Sequence, residues 1–169
     1  VAVGVVFHIL IYVFMSADKV RVERIVPLAD GGFDEGEVPA VLTSGEIVVI
    51  QPIGSLFFAG VAEFEEDLPD AGEAKRAVVI LRLRDQDEIG STFVRFLTRY
   101  GQTLQAANCK LMLEGMGEDV LEQLENTDVL DVIGRENVFL GSSHFGEALK
   151  EALAAAELWI EAGQDNASA

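Results

Sequence analysis

The sequence predicts an α/β fold, a mixed β-sheet flanked by α-helices and preceded by the end of an apolar helix. Three observations predict it. The run Ala77-Val78-Val79-Ile80-Leu81-Arg82-Leu83 reads as a strand buried on both faces, which is the pattern of a central, at least partly parallel strand. Behind it the polar run Arg84-Asp85-Gln86-Asp87-Glu88 leads into Ile89-Gly90-Ser91-Thr92-Phe93, which opens a helix. Strand-like and helix-like segments then alternate along the chain at the spacing of a mostly parallel or mixed sheet with helices packed on it.

The 169 residues fit one domain, and an apolar fraction of 50% is ample for its core. Val1 to Met15 carries no charged residue besides His8. As a helix it would be about 22 Å long, short of the roughly 30 Å hydrocarbon core of a bilayer. The preferred reading is the end of a transmembrane helix, with Lys19, Arg21 and Arg24 on the cytoplasmic side by charge bias. A buried first strand or helix of a soluble domain is the alternative.

Residues 16–45 form a connector with an edge strand around Val20, Val22 and Ile25-Val26; Asp30-Gly31-Gly32 and Asp34-Glu35-Gly36 are turn material. Residues 46–160 form the main domain. A hairpin is expected over 46–59, with Ile47-Val48-Val49-Ile50 as one strand and Leu56-Phe57-Phe58-Ala59 as the other. Val61, Phe64 and Leu68 share a face of a short acidic helix that Pro69 stops. After the buried strand, Phe93, Leu97, Tyr100 and Leu104 recur at helical spacing, so the next helix runs to about Ala107. Gly101 weakens it by roughly 1 kcal/mol relative to Ala, which packing can offset.

Lys110 to Leu113 is a strand, Gly115-Met116-Gly117 a turn, and Val120, Leu121 and Leu124 mark a short helix. Leu130, Val132 and Ile133 pack the next connection, and Asn137 to Leu140 is the last strand. Ser142 or Ser143 caps a final helix carrying Phe145, Leu149, Leu153, Ala156 and Trp159-Ile160 on one side. Residues 161–169 read as a flexible tail.

The net charge of −17 makes nucleic acid a poor partner. Cys109 is the sole cysteine and reads as a small core residue. His8 and His144 have no evident nucleophile or acid beside them, and no glycine-rich phosphate loop exists. Asp85, Asp87 and Glu88 make at best an incidental site for a hard cation. An enzyme is not indicated. The candidate site is instead the loop Asp87, Glu88, Ile89, Gly90, Ser91 and Thr92, at the carboxyl end of the buried strand and beside a helix N-terminus, where open α/β sheets bind ligands or present a hydroxyl. Ser91 is the candidate phosphosite, and a helix N-terminus stabilises a phosphate dianion. In the structural alternative it is an N-cap, worth about 1 kcal/mol. Gly90 allows a positive φ or a close approach by another chain. Arg82 and Arg84 share a strand face and are candidate anion contacts; otherwise they are outward strand-end charges paired with carboxylates.

At this junction the sequence resembles the STAS domains, the fold shared by bacterial anti-sigma factor antagonists and the cytoplasmic tails of SulP-family anion transporters. The likeness to the SulP branch is closer. It rests on Glu46-Ile47-Val48-Val49-Ile50-Gln51-Pro52-Ile53-Gly54-Ser55-Leu56-Phe57-Phe58-Ala59-Gly60, on Leu81-Arg82-Leu83-Arg84 and on Asp87-Glu88-Ile89-Gly90-Ser91-Thr92-Phe93. It extends from about residue 1 to residue 158. In the antagonist branch the strand end reads aspartate-serine-serine-glycine, and the second serine is phosphorylated by a partner kinase. Ile89 takes the place of that aspartate, Gly90 of the first serine, Ser91 of the phosphorylated serine and Thr92 of the glycine. Ser91 thus keeps its position while the acidic neighbour is replaced.

The resemblance implies a STAS-like domain acting as the cytoplasmic regulatory and interaction module of an inner-membrane SulP-like anion transporter, outside the transport path. It implies the membrane domain of the same transporter as partner, a homodimeric full-length protein, and a regulatory protein or a nucleotide as effector, with no resident cofactor. A soluble, phospho-regulated partner-switching protein and a nucleotide-sensing module are the alternatives.

Overall fold

The computed structural model describes residues 20–28, 32–54, 56, 59–84, 86–142 and 146–167. The segment 1–15, with His8, lies outside the described residues, as do Asp85, Ser143, His144 and Phe145.

One six-stranded sheet organises these residues, in the order β2-β1-β3-β4-β5-β6. The strands are β1 (Arg21–Pro27), β2 (Phe33–Gly36), β3 (Ile47–Ile53), β4 (Val78–Arg82), β5 (Lys110–Met116) and β6 (Val138–Leu140). β3 through β6 pair in parallel. β1 runs antiparallel to both β2 and β3. The helices are α1 (Ala59–Glu66), α2 (Ser91–Ala106), α3 (Glu118–Glu125), α4 (Val129–Ile133) and α5 (Glu147–Ala167).

Alternation along the strands divides the core. Val48, Ile50, Val79, Leu81, Leu111 and Leu113 join residues of α1 to α4 in one cluster. Val49, Val78, Ile80 and Met112 join Leu149, Ala152, Ala156 and Ile160 of α5 in another. Successive side chains on a strand point to opposite faces, so α1 to α4 cover one face of the sheet and α5 the other. Because β4 is buried along its whole length, it has no polar alternation, and its sequence announced this.

Several expectations need correction. β1 is not an edge strand; it lies between β2 and β3, and the edge is β2. Asp34, Glu35 and Gly36 therefore belong to a strand and not a turn. Their exposure gives them the composition of a loop. Of the hairpin expected over 46–59, Phe57 and Phe58 lie outside the described residues; among the described ones β3 continues through Pro52, which pairs with Val22 of β1, its two neighbours are β1 and β4, and Ala59 and Gly60 lie within α1. β5 runs through Gly115 and Met116, where a turn was expected. A register shift between Glu114 and Met116 interrupts its pairing with β6, and Gly115 has φ +86°, a conformation glycine takes at least cost.

α5 begins at Glu147, later than a cap at Ser142 or Ser143 implies, and runs on to Ala167 through the stretch that read as a loose tail. The Ser142 hydroxyl donates 2.8 Å to a Glu147 carboxylate oxygen. Cys109 is buried, its thiol 3.4 Å from the Ala74 carbonyl, as expected of a core residue. Gly101 is buried because α4 packs across it; a Cβ there would lie 3.2 Å from Val132 Cγ1.

Candidate functional site

The loop after β4 is built by hydrogen bonds that hold it from both sides. The Leu83 amide donates 2.7 Å to the Glu114 carbonyl, and the Gln86 amide turns the chain by donating 3.1 Å to the Leu83 carbonyl. The Gln86 side chain donates 3.1 Å to the Gly54 carbonyl, tying the loop to the end of β3. The Ile89 amide donates 3.1 Å to the Gln123 side chain on α3, and Ile89 itself is 5% exposed. A buried apolar anchor thus stands immediately before the helix.

Gly90, not Ser91, occupies the N-cap position of α2. Its φ of −78° and ψ of 156° are ordinary extended values, so the positive φ considered for it is not used. The Gly90 carbonyl accepts from the Phe93 and Val94 amides at 2.9 and 3.1 Å. The N-cap position supplies no side-chain cap, and Ser91 is the first helical residue. It is exposed, as are Asp87 and Glu88, while Thr92 is half-buried. The Phe93 amide is thus already taken up, while the Ser91 and Thr92 amides lack intrahelical partners and open beside the exposed hydroxyl. Arg95 stands one turn further along, on the same helix face. Ser91, Val94, Arg95 and Thr98 line a shallow groove of about 570 Å³ that Thr127 and Asp128 close on the other side.

The two arginines part company. Arg82 is not an outward charge: it is 6% exposed and, alternating with Val78 and Ile80, lies on the α5 face, opposite α2. Its Nε is 3.2 Å from Glu114 Oε2, and its guanidinium lies 6.0 Å from the Phe33 ring. Arg84 is exposed and lines a separate cavity at the carboxyl ends of β4, β5 and β6. Burial pushes the Glu114 carboxyl above its ordinary pKa, and the nearby Arg82 and Arg84 offset this only in part.

Glu114, Gln86 and Gln123 escaped the sequence reading. The signal for Glu114 was a lone carboxylate inside an apolar run, obscured because the following glycines read as a turn. Among the described residues no group of three or more His, Cys, Asp and Glu side chains is placed to hold a metal ion.

The family model described as the STAS domain matches residues 38–152. The chain belongs to the STAS domain family. The β4–α2 junction with Ser91 falls inside the matched range. No curated protein matches this STAS chain, but solved structures do. It is similar to the murine Solute Carrier 26 family member A9 anion transporter in the inward-facing state, with a TM-score of 0.66 and 14% identity over 93% of this chain and 25% of that one. The SLC26A9 overall structure gives a TM-score of 0.64 and 17% identity over 95% of this chain and 28% of that one. A sulfate transporter family protein from Wolinella succinogenes gives 0.51 and 24% identity over 80% of this chain and 97% of that one. At these identities the likeness is one of fold. The chain spans about a quarter of the length of the two SLC26A9 chains. Among the described residues no helix is long and apolar enough to cross a membrane.

Proposed function

We propose that this STAS domain is the cytoplasmic regulatory and interaction module of a SulP-like anion transporter, acting through the Ser91 loop and outside the transport path. The observation that carries the reading is the family match over residues 38–152 together with an exposed Ser91 at the start of α2. The fold likeness to two anion-transporter chains, each several times longer than this one, supports placing it beside a membrane domain. On this reading residues 1–15 are the end of the last membrane helix, the full-length protein is a homodimer in the inner membrane, and its partners are its own membrane domain and a regulatory protein. Sequencing the gene upstream of Val1 tests it. A series of hydrophobic helices in the same open reading frame supports the proposal, and a start codon close to Val1 would contradict it.

A second reading is favoured by the geometry of Ser91 alone: a phosphorylated switch for a soluble partner protein. A phosphate there would meet the first-turn amides, with Arg95 one turn away. Ile89 weighs against the classical form of that switch, because a buried apolar side chain stands where the antagonist branch has an aspartate. Intact-mass analysis after incubation with candidate kinases decides it: an added phosphate lost in Ser91→Ala supports the switch, and no addition with any of them counts against it.

A further inference from the structure

Lys110 opens β5 and is the Cα partner of Val78 on β4, so its side chain leaves the sheet on the face that α5 covers. Its Nζ lies 4.9 Å from the centre of the Trp159 ring on α5. The guanidinium of Arg76, which stands just before β4, lies 4.0 Å from the centre of the same ring. One indole therefore gathers two cations, and each disfavours the charged form of the other. Arg76 reaches this position from a backbone φ of +60°, a conformation uncommon for a residue other than glycine. Its Nε and Nη2 are buried and have no hydrogen-bond acceptor. Stacking on an indole engages the face of a guanidinium and leaves its N–H edge unsatisfied. Two donors on a buried charge thus lack an acceptor. Lys110 and Trp159 also line a cavity of about 350 Å³, which Glu136 borders on the far side of β5.

We propose that Lys110 captures carbon dioxide as a carbamate, with Arg76 as its counter-charge. The neutral amine of Lys110 attacks the carbon of carbon dioxide, and a C–N bond forms as one C=O π pair moves onto oxygen. The nitrogen then releases one proton to water. The step converts a cation into an anion, so the repulsion between the two side chains becomes an attraction. It also supplies two oxygens of the kind that an arginine N–H edge takes bidentately. Lysine gives up its proton readily when buried. Burial lowers the Lys110 pKa; Glu136 opposes this, and Arg76 adds to it. The cavity gives carbon dioxide a route to the amine. The site stands independently of the transporter reading, because neither Ser91 nor its groove takes part.

The test is chemical trapping on the full 169-residue chain, held under isotopically labelled carbon dioxide at mildly alkaline pH. Triethyloxonium tetrafluoroborate converts a carbamate into its stable ethyl ester, and peptide mass mapping locates the labelled group. Lys75 and Lys150 are exposed and serve as internal comparisons. A labelled ethoxycarbonyl group several-fold more abundant on Lys110 than on either of them, and reduced several-fold in Arg76→Gln, supports the proposal. If Arg76→Gln loses its circular dichroism spectrum, the comparison among the three lysines of the wild type alone decides. No label on Lys110, label spread equally over the three lysines, or an unchanged amount on Lys110 in a folded Arg76→Gln would overturn it.

Discussion

Ser91 presents an exposed hydroxyl at the first position of a 16-residue helix, directly after an anchor, Ile89, that is 5% exposed. The loop is therefore fixed at its base and open at its tip, which suits a surface that others read. A glutamate at Ser91 adds negative charge beside free first-turn amides, a stabilising contribution of up to about 1 kcal/mol. Asp87 and Glu88, both exposed nearby, oppose it. Ser91→Glu should consequently keep the fold with nearly unchanged stability in urea melts. The buried pair Arg82–Glu114 behaves differently, with side chains 7% and 4% exposed. Removing either partner leaves a buried charge and should cost about 3–5 kcal/mol, whereas the paired change Arg82→Met with Glu114→Leu should cost far less. Chemical melts of the two single variants and the double variant check this.

Glu114 also gives a pH dependence. Its folded-state pKa is raised by burial, so the folded protein holds this proton more tightly than the unfolded chain does. The resulting stability is complete below the ordinary glutamate pKa of about 4.3 and is lost as pH rises through the raised value. The stability of the wild type relative to Glu114→Gln should therefore fall from acid toward neutral pH. A difference that grows with pH would contradict the burial argument.

α2 is where the sequence and the structure agree most closely. Phe93, Phe96, Leu97 and Leu104 are buried on one side of it. Phe96 stacks between Phe93 and Tyr100, each ring 5.6 Å away, and Phe64 of α1 meets Phe96 edge-on at 5.6 Å. Tyr100 donates 2.8 Å to the Pro69 carbonyl, and burial pushes its pKa far above the ordinary tyrosine value. Leu97→Ala should cost about 2–5 kcal/mol as a buried truncation while leaving the Ser91 surface unchanged, a contrast that thermal and chemical melts of the two variants will show. α2 and β4 were legible because each carries its own period, helical spacing in one and an unbroken apolar run in the other. The site loop followed from them, since it lies between two legible elements. What was not legible depended on distant partners. β3 read as half of a hairpin because the neighbouring apolar run offered a local partner, whereas its actual partners, β1 and β4, come from elsewhere in the chain. Arg82 read as a surface charge because Glu114, which accompanies it into the interior, lies on another strand.

Across the whole molecule, parallel strands β3 to β6 direct their carboxyl ends to one edge. The Ser91 loop and the Glu114 cavity both lie at that end of the sheet. That arrangement is expected of open α/β sheets, whose ligands bind outside the strand carboxyl ends. Most of the core is built from β3 to β6 and the helices packed on them. If residues 1–15 are the end of a membrane helix, deleting them should leave the thermal transition largely intact and reduce self-association; a large fall in melting temperature would place them in the domain's own core. The central claim is that the Ser91 loop regulates an attached transporter. The most direct measurement is anion uptake by the full-length protein in proteoliposomes, with sulfate and bicarbonate as probes, for the wild type and Ser91→Glu at equal reconstituted amounts. The account predicts a changed uptake rate in Ser91→Glu with unchanged domain stability. Uptake identical to the wild type for every anion transported, or a change found only where the domain has also unfolded, would contradict it.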